Sequence, residues 1–466
     1  MYDDPPALRE QPAPPPATED APVWLPHPDH DELARHGVEH FEQVFGRRPT
    51  GIWHSPGRAN LNGEHIDFLG GRCLPLALPY STFVAAAPRT DGLLRMRTLE
   101  PSLDTGIVEI RTTEIGPGRP EGWTGYVAGS LWGLHEAAGG LPGLEIPDGF
   151  GADLLIRSTL PVGGGLSSSA ALECASVLAF AGLLTGRDDH DDDVRARLAH
   201  ACMMAEVHVV GADTGGLDQT ASLRSLPGQV VSLDCRDFSI THRPAEALLD
   251  GHRLIAVDTR TPHWLGGHEF SSRRRDAEAA ARFLGADRLR DLLPETPQPQ
   301  DVEAVLRRWK RAAPTAAQLE GRDPGDATRR LRHALSEMLR SEQLDRILSG
   351  QAADDDGTAS VPARIGAILT EGHASMRDDA QASFPAADLI VGTAREAGAR
   401  GARLIGGGFG GSVLILAPEA AVDRIASAVD RVLIDAELPR PRFLDIVPSF
   451  SGDVVCRDCP QPAVLP

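Results

Sequence analysis

Gly163, Gly164 and Gly165 precede Leu166 and then Ser167, Ser168 and Ser169, and an apolar, helix-like run begins at once. Glycines let a backbone take conformations closed to other residues and let a ligand approach closely. Serines at a helix start offer hydroxyls and unpaired backbone N–H groups, where the helix dipole favours an anion. The chemistry this suits is the cradling of phosphate. Lys310, in Arg-Arg-Trp-Lys-Arg, is the only lysine in the chain. A Walker-type loop needs a lysine after its second glycine, and a protein-kinase fold needs one on a strand. Schiff-base or pyridoxal-phosphate chemistry would rest on Lys310 alone. Any nucleotide phosphate is therefore expected to be held without a lysine.

Two further segments carry reactive groups. Glu206 closes a helix-like run, and Gly215-Gly-Leu-Asp-Gln219 presents Asp218 on a turn twelve positions later. Phosphoryl transfer to an alcohol needs a proton acceptor and a divalent cation across the phosphates. Asp218 suits the first task. Glu206 with a serine hydroxyl suits the second, because Mg²⁺ prefers hard oxygen ligands. Taken alone, both would read as solvated acids. In Gly57-Arg-Ala-Asn-Leu-Asn-Gly-Glu-His-Ile-Asp-Phe-Leu-Gly-Gly71, one cation, Arg58, stands near Glu64, His65 and Asp67. Such a set suits a polyhydroxylated ligand held by oriented hydrogen bonds.

The elements that must position these groups are mixed. Helical spacing marks 29–45, 169–184, 194–210, 271–284, 302–311, 326–348, 361–380 and 385–399, while Leu254–Val257 and Ser412–Leu416 read as strands. The class is α+β. At 466 residues the chain exceeds one core, and two domains are expected, 29–250 and 251–466. Residues 1–28 hold nine prolines and read as a flexible tail. A softer stretch at about 293–328 reads as an insertion, and 350–360 as a loop. The net charge of −20 argues against coating nucleic acid or an anionic membrane. No apolar run approaches the ~18–20 residues of a membrane span, and the N-terminus lacks a leader pattern. A cytoplasmic monomer or weak homo-oligomer is the expectation. Cys73, Cys174, Cys202 and Cys235 read as structural thiols. Cys456 and Cys459 form a lone Cys-x-x-Cys, without the second pair or histidines that zinc needs.

The three segments together resemble the GHMP kinases and, within them, the galactokinases. The resemblance runs from about Phe45 to Ser451. Gly57–Gly71 resembles the galactokinase signature, 160–173 the ATP-binding motif, and Gly401–Gly411 the C-terminal glycine motif. Shorter matches are Phe45-Gly46…Pro49, Leu74-Pro75, Tyr126–Gly129, Arg273–Arg275 and His373–Asp378. The fold this implies is two-lobed, with a ribosomal-S5-like N-terminal lobe, a ferredoxin-like C-terminal lobe, and ATP and sugar between them. The resemblance also implies roles. Gly163, Gly164, Gly165, Leu166, Ser167, Ser168 and Ser169 would hold the ATP phosphates, and Ser169 with Glu206 would ligate Mg²⁺. Asp218 would be the catalytic base, and Arg58 would stabilise charge on the transferring phosphoryl. Glu64, His65, Asp67, Asp218 and Phe270 would line the sugar. The implied reaction converts ATP and a galactose-like sugar into the sugar 1-phosphate and ADP.

The chain departs from the family at the sugar. Phe68, Phe270 and Ala380 stand where tyrosines are usual, Asn62 where isoleucine is usual, and Asp258-Thr-Arg-Thr261 where Asn-Ser-Asn-Val is usual. Ile66 and Phe270 also resemble the N-acetylgalactosamine kinases of the family. One alternative is therefore a 1-kinase for N-acetylgalactosamine or for an amino or longer-chain sugar. Another is a non-catalytic sugar- and ATP-binding regulator, although Ser167–Ala170, Asp218 and Arg58 are all retained.

Overall fold

Strand Gly51–Asn60 is buried along its whole length and pairs antiparallel with Pro75–Arg89. Such a strand sits inside a sheet covered on both faces. These two lie within a six-stranded sheet whose order is Asp453–Arg457, Gly51–Asn60, Pro75–Arg89, Gly151–Ser158, Leu93–Thr98 and Val108–Arg111. Its pairs are antiparallel except Leu93–Thr98 with Gly151–Ser158. The register shifts between Pro56 and Arg58, so a bulge turns the strand just before the arginine. Gly57 sits at that bulge. A Cβ there would stand 2.4 Å from the Leu166 carbonyl oxygen, so only glycine lets the glycine-serine loop lie on this strand.

The computed structural model describes residues 21–137, 144–261, 268–351 and 359–457. Against the six-stranded sheet pack helices Trp123–Ala137, Ser168–Thr185 and Asp192–Ala205, around a core that includes Trp53, Val84, Leu154, Val177 and Phe180. Ser168–Thr185 is long and apolar enough to cross a bilayer by length and composition, contrary to the expectation that no run approaches this. It is instead a core helix, with 72% of that window buried in the protein.

A second sheet runs Val23–Trp24, Arg442–Ile446, His252–Asp258, Ser412–Pro418 and Gly401–Ile405. Helices Pro385–Glu396 and Val422–Asp435 bury Ile390, Ile425 and Val429 in the core that holds Val257, Val413 and Ile415. A small third sheet joins Arg72–Cys73, Gln229–Asp234 and Ser239–Pro244. The α+β class is as expected.

The expected domain limits need three corrections. Residues 21–28 do not belong to a flexible tail, because Val23 and Trp24 pair with Arg442 and Phe443, and Trp24 packs on the Phe443 ring at 5.3 Å. The apolar trio Val23-Trp24-Leu25 is what binds them. Residues 1–20 lie outside the described residues. Asp453–Arg457 pairs with Gly51–His54, so the last described strand completes the first sheet and a split at 250/251 is not clean. The stretch at 293–328 is built into a core that it shares with Ile66, Leu69, Val231 and Leu233. Helix Pro299–Ala312 starts with proline in its first turn and buries Val302, Val305 and Trp309 at spacings of three and four. These pack with Leu319 and the long helix Pro324–Leu348. The expected loop at 350–360 lies largely outside the described residues, as does Cys459. Cys73, Cys174, Cys202 and Cys235 are free and buried, and Cys456 is disulfide-bonded.

Candidate active site

The glycine-serine loop leaves strand Gly151–Ser158 and enters helix Ser168–Thr185 through Ser167, whose φ of 58° lies in the left-handed region. A serine pays strain there, of the kind found at functional sites. Its hydroxyl makes no cap to the helix; it donates to Asp218 Oδ2 at 2.5 Å. Ser168 and Ser169 open the helix, where backbone N–H groups lack intrahelical partners. Gly163, Gly165 and the three serines line one cleft. Gly164 and Leu166 do not. The Gly164 carbonyl accepts from Ser412 Oγ at 2.6 Å, and Leu166 is buried in the core.

Asp218 stands in the first turn of helix Leu217–Arg224, not on a free turn. Arg58 reaches it with two donors, Nε to Oδ1 at 2.6 Å and Nη2 to Oδ2 at 3.0 Å. Its third donor, Nη1, holds the Gly165 carbonyl at 3.0 Å, so one guanidinium ties the carboxylate to the glycine loop. Burial works against the Arg58 charge, but Asp218, Glu64 and Asp67 outweigh it and raise its pKa.

The polar loop after Gly51–Asn60 folds over the same cleft. Glu64 Oε1 accepts from the Gly406 N–H at 2.8 Å. Burial pushes its pKa up to about 7, against the pull of Arg58 and Arg403. His65 takes a left-handed φ of 62° and its Nε2 lies 2.9 Å from the Gly407 carbonyl. Burial lowers its pKa to about 4, so the ring is neutral. Burial and the nearby Asp218 push Asp67 up to about 6. Gly215 lies so close that a Cβ would stand 2.3 Å from Asp67 Oδ2. Phe270, from helix His268–Phe283, meets the His65 ring edge-on at 4.9 Å and the Phe68 ring at 5.8 Å. Of the two departures from tyrosine, Phe270 gives the cleft an apolar wall and Phe68 packs against its ring outside the lining. Ala380 is fully buried.

Glu206 lies at the junction where helix Asp192–Ala205 loosens into a π-turn, Glu206–Val210, rather than continuing as regular helix. Such turns redirect side chains, often at functional sites. Glu206 accepts from Gln219 Nε2 at 2.6 Å, and burial, with Asp218 nearby, raises its pKa to about 7. Among the described residues no three His, Cys, Asp or Glu side chains gather as a metal cage. The donor set fits Mg²⁺ nevertheless. Ser169 and Glu206 put two hard oxygens on the wall beside the glycine-serine loop, and Mg²⁺ usually takes one or two carboxylates plus phosphates and waters.

One cleft thus gathers Arg58, Glu64, His65, Asp67, Ser167–Ser169, Glu206, Asp218 and Phe270. Its empty space, open mouth included, is about 890 Å³, within the ~300–1,000 Å³ of small-molecule sites. Asp213, Thr214 and Leu217 line it too and escaped the sequence reading. So did the individual roles of Gly406 and Gly407, although their glycine motif was visible. Asp213 accepts from Ser271 Oγ at 2.5 Å and so ties its loop to the helix that carries Phe270.

Comparison with known proteins finds relatives along most of the chain. Residues 39–88 match the galactokinase galactose-binding signature, 125–225 the GHMP kinases N terminal domain, and 359–435 the GHMP kinases C terminal domain. A galactokinase of Streptomyces coelicolor is 39% identical over 412 residues, covering 88% of this chain and 96% of that protein. The galactokinase of Bos taurus is 32% identical over 407 residues, covering 85% and 91%. The crystal structure of Lactococcus lactis galactokinase complexed with galactose superposes with a TM-score of 0.74 at 26% identity, covering 89% of this chain and 98% of that one. Methanococcus jannaschii mevalonate kinase, at 16% identity and a TM-score of 0.52 over 86% and 98%, shares the fold alone. The galactose-binding signature, both GHMP kinase domains and a relative 39% identical over 88% of the chain place it together: the chain belongs to the galactokinase family of the GHMP kinases.

Proposed function

We propose that this protein transfers the γ-phosphoryl group of ATP to the anomeric hydroxyl of galactose, giving galactose 1-phosphate and ADP. The observation that carries this is Asp218, held by two hydrogen bonds from Arg58 in a cleft shared by the phosphate loop and the galactose-binding signature. The curated relatives named galactokinase favour galactose over the amino or longer-chain sugars, and favour an enzyme over a regulator.

In this reading the phosphate loop holds ATP through the backbone around Gly163 and Gly165 and the hydroxyls of Ser168 and Ser169. Glu64, His65 and Asp67 take the sugar hydroxyls, and Phe270 closes the pocket with its ring. Asp218 accepts the proton of the anomeric hydroxyl as its oxygen bonds the γ-phosphorus and the bond to ADP breaks. Arg58 orients Asp218 and faces the charge on the transferring group; fixed donors of this kind need no reorganisation as the reaction proceeds. Ser169 and Glu206 would hold Mg²⁺. That ion would neutralise charge on the β- and γ-phosphates.

Asp218→Asn tests the base. It keeps the shape of the site and removes the proton acceptor, so turnover should fall by at least ~10²-fold, the lower end of what general-base catalysis contributes. Sugar and ATP should still bind by calorimetry. Turnover within a few-fold of wild type would contradict the assignment.

A further inference from the structure

Behind the cleft wall, Glu173 is fully buried in helix Ser168–Thr185, four residues after Ser169. Its Oε2 accepts from Gln219 Nε2 at 3.0 Å, and the same nitrogen donates to Glu206 Oε2 at 2.6 Å. Gln219 is also fully buried. One amide group therefore bridges two carboxyl groups that come from different helices.

Two oxygens of this bridge have no hydrogen-bond partner, Glu173 Oε1 and Gln219 Oε1. Buried polar atoms seldom stay unpaired. Turning the amide over would aim its oxygen at both carboxyl groups and make matters worse. A proton on Glu173 Oε1 makes that atom a donor, and the acceptor at the other end of the same amide is Gln219 Oε1. That second bond, added to the observed one at 3.0 Å, would join the two side chains as a two-bond pair of carboxylic acid and carboxamide and satisfy both oxygens. Burial, and next the charge of Glu206, favour that protonated form of Glu173.

We infer that Glu173 is a positioning residue: by pairing with the Gln219 amide it fixes the direction of Nε2, which in turn holds the Glu206 carboxylate toward the phosphate loop. The inference rests on the reading of Glu206 as a ligand of Mg²⁺. Without the pairing the Gln219 amide is no longer held by Glu173, and the donor it presents to Glu206 at 2.6 Å, beside the Thr214 hydroxyl, loses its fixed direction. Groups that orient metal ligands typically change metal affinity by 10-fold or more when removed.

The test is Mn²⁺ binding to the full-length enzyme with ADP, read by electron paramagnetic resonance, alongside the melting temperature and galactose affinity. Glu173→Leu keeps the apolar packing and removes the pairing. It should melt close to wild type and bind galactose normally, yet bind Mn²⁺ about tenfold more weakly. Glu173→Gln can make the same two bonds and should restore Mn²⁺ affinity to within about twofold of wild type. Should Glu173→Leu fail to fold, Gln219→Met removes the bridge from the other side and has to show the same loss. Wild-type Mn²⁺ affinity in a folded Glu173→Leu or Gln219→Met protein overturns the inference, and so does a Glu173→Gln protein as weak as Glu173→Leu. Glu206→Gln separates the two ideas. If it weakens Mn²⁺ and Glu173→Leu does not, only the positioning role falls; if Glu206→Gln leaves Mn²⁺ binding unchanged, the metal reading falls and this inference with it.

Discussion

Arg58 faces three carboxyl groups, and each stands in a different electrostatic situation. Asp218 is clamped by two hydrogen bonds, whereas Glu64 and Asp67 lie deep enough for burial to dominate. Glu64 moves from an ordinary 4.5 to about 7, and Asp67 from 3.8 to about 6. The folded protein thus keeps protons that the unfolded chain releases. This contribution to stability is full below the unfolded values of 3.8 and 4.5 and is lost as pH rises through about 6 and 7. Buried histidines such as His54, His65 and His333, whose pKa values are lowered, act in the opposite sense, so the Glu64 share is read as a difference between two proteins. Glu64→Gln keeps an oxygen for the Gly406 N–H, and in the absence of ligands the melting-temperature advantage of wild type over it should shrink as pH rises from about 4.5 to 7; a difference that does not change with pH contradicts the burial argument. Arg58, Glu64, His65, Asp67, Ser167–Ser169, Glu206 and Asp218 were legible in the sequence because they sit in short glycine-bearing segments dense in polar groups. Glu173, Gln219 and Asp213 were not. Glu173 reads as the one charged residue on a largely apolar helix, and its partner at 219 shares no period with it.

At the scale of elements, the cleft depends on two backbones touching. The glycine-serine loop rests on strand Gly51–Asn60 at Gly57, with Arg58 N–H donating to the Leu166 carbonyl at 3.2 Å. A Cβ at residue 57 would also meet Leu160 Cδ2 at 2.6 Å. Gly57→Ala should therefore push the loop off the strand. We expect the KM for ATP to rise by roughly tenfold or more, from a displacement of the order of 1 Å, with galactose binding much less affected. Equal ATP and galactose effects, or none, would argue that the loop is not seated by this contact. Helices such as Pro324–Leu348, Val361–Asp378 and Pro385–Glu396 were legible because apolar residues recur at three and four. The π-turn at Glu206–Val210 was not, since it keeps a helical pattern while changing its hydrogen bonds. A strand of two residues, Val23–Trp24, is too short to show any period.

Across the whole molecule, the galactose-signature loop is keyed to the second half of the chain. Arg403 and Glu337 form a fully buried ion pair at 2.8 Å, and Glu337 Oε1 also accepts from the Gly63 N–H at 3.1 Å. Asn62, the departure from isoleucine, belongs to the same network, donating to Ser341 Oγ at 2.8 Å. Arg403→Met removes one partner and leaves a buried acid short of a cation, which should cost about 3–5 kcal/mol in urea unfolding. A loss below about 1 kcal/mol would mean that Arg340, also bonded to Glu337, suffices. Most helices and the strands at Leu254–Val257 and Ser412–Leu416 were readable from local pattern, whereas the fully buried strand Gly51–Asn60 shows no alternation to mark it. The exchange of end strands between the two sheets was not readable either, because Val23 pairs with Arg442 and Asp453 with His54, and pairings so distant in sequence leave no local mark. The glycine-serine loop, Asp218 and the shared cleft converge on the proposed reaction, and a single measurement tests it most directly: phosphorus NMR of the product formed from galactose, ATP and Mg²⁺, with ADP followed in parallel. Galactose 1-phosphate is expected in one-to-one proportion with ADP, with both formed at least ~10²-fold more slowly by Asp218→Asn. Phosphate on another hydroxyl, or no galactose product beside rapid turnover of an amino or longer-chain sugar, would contradict it.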